Sequence, residues 1–166
     1  MARSAAEVRR AVGLVSAALL LIGLAVLGTR FHQTAQAEAE EEESDRQAVA
    51  AARQAALGLT NLSARTIDQD ARRLAGMATG AFKDQFASQA TAFRDIVTGS
   101  QVTSRGEVVE AALERSDGRT AVALAAVRAT VGNAAAPEGE QRQYRLRITV
   151  EKTAQTWLVA NLEFVP

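Results

Sequence analysis

The 166-residue chain has no cysteine, which excludes disulfide staples and thiolate metal sites. Its only histidine is His32, beside the apolar N-terminal run, so neither a Ser-His nor a Cys-His arrangement is available to the rest of the chain. Lys83 and Lys152 are the only lysines, and no basic stripe with interleaved aromatics occurs, so nucleic-acid binding has no support. Glycine-rich phosphate loops, H-E-x-x-H, EF-hand and Walker patterns are all missing. The bias to arginine and alanine is typical of a GC-rich bacterial genome.

What is present is segregated charge. Arg3, Arg9 and Arg10 face only Glu7 in residues 1–10, and Glu38, Glu40 to Glu43 and Asp45 form an acidic block, while the whole chain balances to zero. Between them, AVGLVSAALLLIGLAVLG runs from Ala11 to Gly28 without a charge. Eighteen residues at helical rise span roughly 27 Å, close to the ~30 Å hydrocarbon core. The expected organisation is a cytoplasmic N-terminus (1–10), a transmembrane helix (11–29), an acidic juxtamembrane helical linker (30–45) and an extracytoplasmic domain (46–166). Ala35-Gln36-Ala37 would suit signal peptidase, but the apolar run is too long and ends too early for that reading, so an uncleaved cell-membrane anchor is expected. Gly23 and Gly28, with nearby alanines, would let this helix pack closely against other membrane helices.

Beyond the linker, Ala48, Ala51, Ala52, Ala55, Leu59 and Leu62 fall on one helical face. Asn61-Leu62-Ser63 matches a glycosylation sequon, which chance readily produces. Thr66 and Gln69 predict a capping box for a short helix with Ile67, Ala71 and Leu74 inward. Phe82, Phe86, Ala90, Phe93 and Val97 then mark an amphipathic helix ending at Thr98-Gly99. From residue 101 the period becomes two, predicting strands over 102–115, 119–132, 141–152 and 156–165. Helices followed by antiparallel strands define an α+β domain: about three helices packed on a curved four-stranded antiparallel sheet.

Three groups of residues are candidate sites. Phe82, Phe86 and Phe93 read as core or as the lining of an apolar lipid pocket. Arg128, Arg145 and Arg147 read as a solvated strand face or as a patch for an acidic partner or lipid headgroup. Asp68, Asp70 and Asp84 are the only candidates for a general base, which would require one of them deep in an apolar pocket. The acidic run Glu40 to Glu43 fans around its helix axis, so it reads as a solvated extension rather than a chelate. No enzyme, cofactor, metal or nucleic-acid partner is expected.

The order of features resembles the Mce-associated membrane proteins of actinobacteria over nearly the whole chain. The likeness rests on Ala51-Ala52-Arg53-Gln54-Ala55-Ala56, the Leu-Ala-Gly-x-x-Thr-Gly-x-Phe pattern at Leu74 to Phe82, and Tyr144-Arg145-Leu146-Arg147 leading to Trp157-Leu158-Val159 and Glu163-Phe164-Val165. The resemblance implies a VirB8-like or cystatin/NTF2-like cone for the outer domain. It further implies an accessory, stabilising role beside an Mce-type lipid import transporter, with that transporter's subunits and membrane lipid as partners. Direct lipid or sterol binding is the alternative, and an NTF2-like isomerase or hydratase a more remote one.

Overall fold

The computed structural model describes residue 36, residues 38–154 and residues 156–166. The chain divides after Glu42, and Glu43–Pro166 is one compact unit. The expected membrane helix, with Gly23, Gly28 and the neighbouring His32, lies outside the described residues. Among the described residues no helix is long and apolar enough to cross a membrane.

The first helix, α1, runs over 38–60. The order that follows is β1 Leu62–Ser63, α2 Ile67–Gly76, α3 Gly80–Gly99, β2 Thr103–Ser116, β3 Thr120–Gly132, β4 Glu140–Thr153 and β5 Thr156–Val165. The strands form a single sheet in sequence order, every neighbouring pair antiparallel. The sheet therefore has five strands rather than the expected four. The extra one is a two-residue strand, Leu62 opposite Ser104 and Ser63 opposite Thr103. Leu62 was expected on the inner face of the first helix, but that helix stops at residue 60. A two-residue strand has no period to read; its pairing with residues some forty positions on creates it.

The core lies between α1 and the concave face of the sheet. Ala48, Ala52, Ala55 and Ala56 of α1 share a buried cluster with Ala121, Ala123, Ala125 and Val127 of β3 and Leu146, Ile148 and Val150 of β4. Small residues on both the helix and the central strand let the two backbones approach closely. The larger β4 side chains fill the remaining volume, each contributing about 1.5–3 kcal/mol by full burial. Strict alternation on β4 puts Leu146, Ile148 and Val150 inward, as the sequence predicts.

Bulges reset that alternation elsewhere. On β2 the register slips between Val108 and Glu110, so inward positions change from even numbers to Ala111 and Leu113, and Val109 is left 54% exposed. On β5 a slip opposite Thr149/Val150 carries the inward set from Trp157 and Val159 to Leu162.

Local chemistry explains the helix ends. Asn61 terminates α1 by donating from Nδ2 to the carbonyl oxygens of Leu57 (3.0 Å) and Gly106 (2.9 Å), while its Oδ1 accepts from the Gly106 amide (3.2 Å). The sequon asparagine is thus a lock between α1 and β2. Thr66 stands at the start of α2, but the expected capping box does not form. Its hydroxyl instead donates to Asp70 Oδ2 at 2.8 Å. Before α3, Met77–Thr79 lies along the β5 edge: Val159 donates to Met77 O (2.7 Å) and accepts from Thr79 N (2.8 Å). Gly80, at φ +56°, then turns the chain off that edge into α3, a conformation that glycine adopts without a Cβ penalty.

Candidate functional site

Helix α3 is 20 residues long, yet Val97 is its only fully buried residue. Its aromatic stripe is half-buried, because the helix meets α2 and β5 rather than lying flat on the sheet. The space left between α3 and β5 is a groove of about 410 Å³. Phe82, Phe86 and Phe93 line one wall, Val159, Leu162 and Phe164 the other, with Ala55 and Leu59 of α1 and Leu74 and Met77 completing it. The fold therefore brings the three sequence-predicted aromatics to one cavity. Phe86 and Phe93 pack at 6.1 Å between centroids, and Phe164 meets Tyr144 edge-on at 5.7 Å.

The sequence marks Phe164 only within the Glu163-Phe164-Val165 motif and not as a lining residue, and it does not single out Gln85, Gln89 and Asn161, the polar residues of the lining. The bulge on β5 puts Phe164 on the groove side, where it is 61% exposed. A terminal Leu-x-Phe alternation is the only signal of it, and the bulge hides its phase.

None of the candidate acids lines this groove. Asp68 is exposed and bound by Arg94 Nη1 at 2.8 Å. That hydrogen bond, with the accompanying positive charge, holds its carboxyl below the ordinary aspartate range, the direction opposite to what a general base needs. Asp70 is buried, but it is fully employed. Its carboxylate accepts from the Thr66 hydroxyl at 2.8 Å and the Ser63 amide at 3.3 Å, and pairs with Arg73 at 2.9 Å. It ties β1 to α2. Asp84 is an exposed residue of α3.

The three arginines share the outer face of the sheet, on β3 and β4. They do not make a uniformly basic patch. Arg128 pairs with Glu107 at 3.0 Å, and Arg147 with Glu114 at 3.0 Å and Glu163 at 3.6 Å. Arg145 has no ion-pair partner among the described residues. It borders a small hollow with Leu124, Ala126 and Val165, in which Leu124 is 39% exposed. In the acidic block, Glu43 is held by Arg46 (2.8 Å) and Gln47 (2.9 Å), which lowers its pKa. Among the described residues no cluster of three or more histidines, aspartates or glutamates is placed to hold a metal ion.

Three helices against a curved antiparallel sheet, with an apolar groove beside the edge strand, define an α+β domain of the VirB8-like, NTF2-like type. The periplasmic domain of DotI matches with a TM-score of 0.59 at 14% identity, over 71% of this chain and 92% of that one. CagV, a VirB8 homologue from Helicobacter pylori strain 26695, matches with a TM-score of 0.56 at 8% identity, over 70% and 95%. At such identities the likeness is one of fold. The chain belongs to the family described as "Uncharacterized protein Rv1363c/MT1408-like", whose model matches residues 9–166. It is similar to the uncharacterized protein Rv1363c of Mycobacterium tuberculosis (strain ATCC 25618 / H37Rv), with 33% identity over 130 residues covering 78% of this chain and 50% of that protein. The chain thus spans about half the length of that relative.

Proposed function

We propose that this chain is a membrane-anchored accessory subunit that stabilises an Mce-type lipid import transporter through protein–protein contacts, and is not an enzyme. One observation carries the non-catalytic part: the groove of this VirB8-like domain is lined by no titratable side chain. A groove so lined supports a role of surface and shape rather than of proton transfer. CagV is a VirB8 homologue of a type IV secretion system, and the proposal gives the present domain a comparable place as a component of an assembly. The transporter is proposed from the sequence resemblance to Mce-associated membrane proteins. The uncharged run after Arg9 and Arg10 supports a single-pass anchor with the domain outside the cytoplasm.

Affinity purification of the full chain from native membranes tests this. Mce or permease subunits should co-purify, and deletion should lower lipid uptake. Recovery of neither subunit, with uptake unchanged, would overturn the proposal.

A second reading, direct lipid or sterol binding, is favoured by the groove itself. Four phenylalanines line a cavity of about 410 Å³, within the range of roughly 300–1,000 Å³ of small-molecule sites. Native mass spectrometry of the full chain should then show bound lipid released only on unfolding.

A further inference from the structure

The groove between α3 and β5 is unusual in what its rim lacks. Its thirteen lining residues include no arginine, lysine, aspartate or glutamate. Its polar groups are three carboxamides, Gln85 and Gln89 on α3 and Asn161 on β5. None of these side chains is engaged by another group among the described residues. Of the cations on the same helix, Lys83 is exposed and is not part of the lining, and Arg94 is committed to Asp68 at 2.8 Å. Charge and hydrogen-bonding capacity are therefore separated here: the rim can donate and accept, but it cannot neutralise an ion.

We infer that this groove selects an uncharged amphiphile, an apolar body bearing a hydroxyl or similar neutral head, over an ionised amphiphile of the same chain length. The inference rests on the lipid-binding reading above and adds its selectivity. An apolar chain displaces water from the phenylalanine walls, and a hydroxyl head exchanges hydrogen bonds with carboxamides, which both donate and accept. A carboxylate, sulfate or phosphate head entering the same rim loses hydration without meeting a counter-charge, a cost that three side-chain carboxamides offset only in part. The size of the groove argues for a small molecule. Its volume of about 410 Å³ falls within the roughly 300–1,000 Å³ of small-molecule sites.

The test uses the full chain in nanodiscs, with para-fluorophenylalanine at its five phenylalanines, followed by fluorine NMR. The resonances of Phe82, Phe86, Phe93 and Phe164 are the groove probes, assigned by single Phe→Leu variants. Decanol should shift the Phe82, Phe86, Phe93 and Phe164 resonances at a concentration about tenfold lower than decyl sulfate, which stays ionised at any working pH. Gln89 is exposed, so Gln89→Arg should leave the fold intact and reverse the preference by supplying the missing cation. Equal or tighter binding of decyl sulfate by the native chain would overturn the selectivity and leave the lipid reading standing. No shift with either amphiphile would overturn both. A shift produced only by purified permease subunits would do the same, and would give the groove to a protein.

Discussion

Gly106 of β2 lies directly against Thr60 at the end of α1: a Cβ on Gly106 would stand 2.3 Å from Thr60 Oγ1 and 2.6 Å from its Cβ. Thr60 cannot easily swing aside, because its hydroxyl donates to Ala56 O at 2.7 Å and its carbonyl accepts from Ser104 Oγ at 2.7 Å. The two Asn61–Gly106 hydrogen bonds hold the same contact from the other side. Gly106→Ala is therefore expected to lower stability by about 1–3 kcal/mol, read by chemical denaturation. Adding Thr60→Gly should recover part of the loss, since it removes both clashing atoms.

Asp70 makes a second, separate lock. Removing its carboxylate leaves the Ser63 amide and the Thr66 hydroxyl without their acceptor in a half-buried place. Asp70→Ala is expected to cost about 1–3 kcal/mol and to speed amide exchange around β1 first. If exchange rises uniformly across the sheet instead, Asp70 supports the whole domain rather than this corner.

The β2–β3 turn should respond to acid. Asp117 Oδ1 accepts from the amides of Thr120 (2.7 Å) and Arg119 (2.9 Å). These backbone hydrogen bonds favour the charged form and lower its pKa below the ordinary aspartate value. With the folded pKa depressed, its stabilising contribution is present above the ordinary value and is lost as pH falls through the folded one. A carboxyl-detected NMR titration should place the Asp117 midpoint below that of an aspartate in a disordered peptide. Asp117→Asn should flatten the turn's response to pH in this window.

On the outer face of the sheet, Arg145 differs from Arg128 and Arg147 in having no ion-pair partner among the described residues. If the patch docks an acidic partner, Arg145→Glu should reduce co-purified transporter subunits more than Arg128→Ala or Arg147→Ala. The exposed pairs of Arg128 and Arg147 should contribute less than about 1 kcal/mol to stability, so all three variants should keep the wild-type melting behaviour. Equal recovery of subunits with all three would remove the patch from the interface.

Much of this architecture is written locally. The four-residue steps of Phe82 and Phe86, the tight alternation of Tyr144, Leu146, Ile148 and Val150, and the Ser116-Asp117-Gly118 turn each announce their element, because a helix or strand with one buried face repeats at its own period. The alanine face of α1 and the α+β class follow from the same rule. The phenylalanine stripe was legible as a stripe, but its choice between core and cavity depended on where α3 sits against β5. Only the tertiary structure decided that, by leaving the stripe half-covered and bringing Phe164 opposite it. Likewise β1, the bulges that set the phase of β2 and β5, and the burial of Asp70 among three donors depend on partners distant in the chain, or on the extra residue that a bulge inserts. The sequence alone determined which faces are apolar; long-range pairing determined which of those faces meet, and which one stays open as a groove.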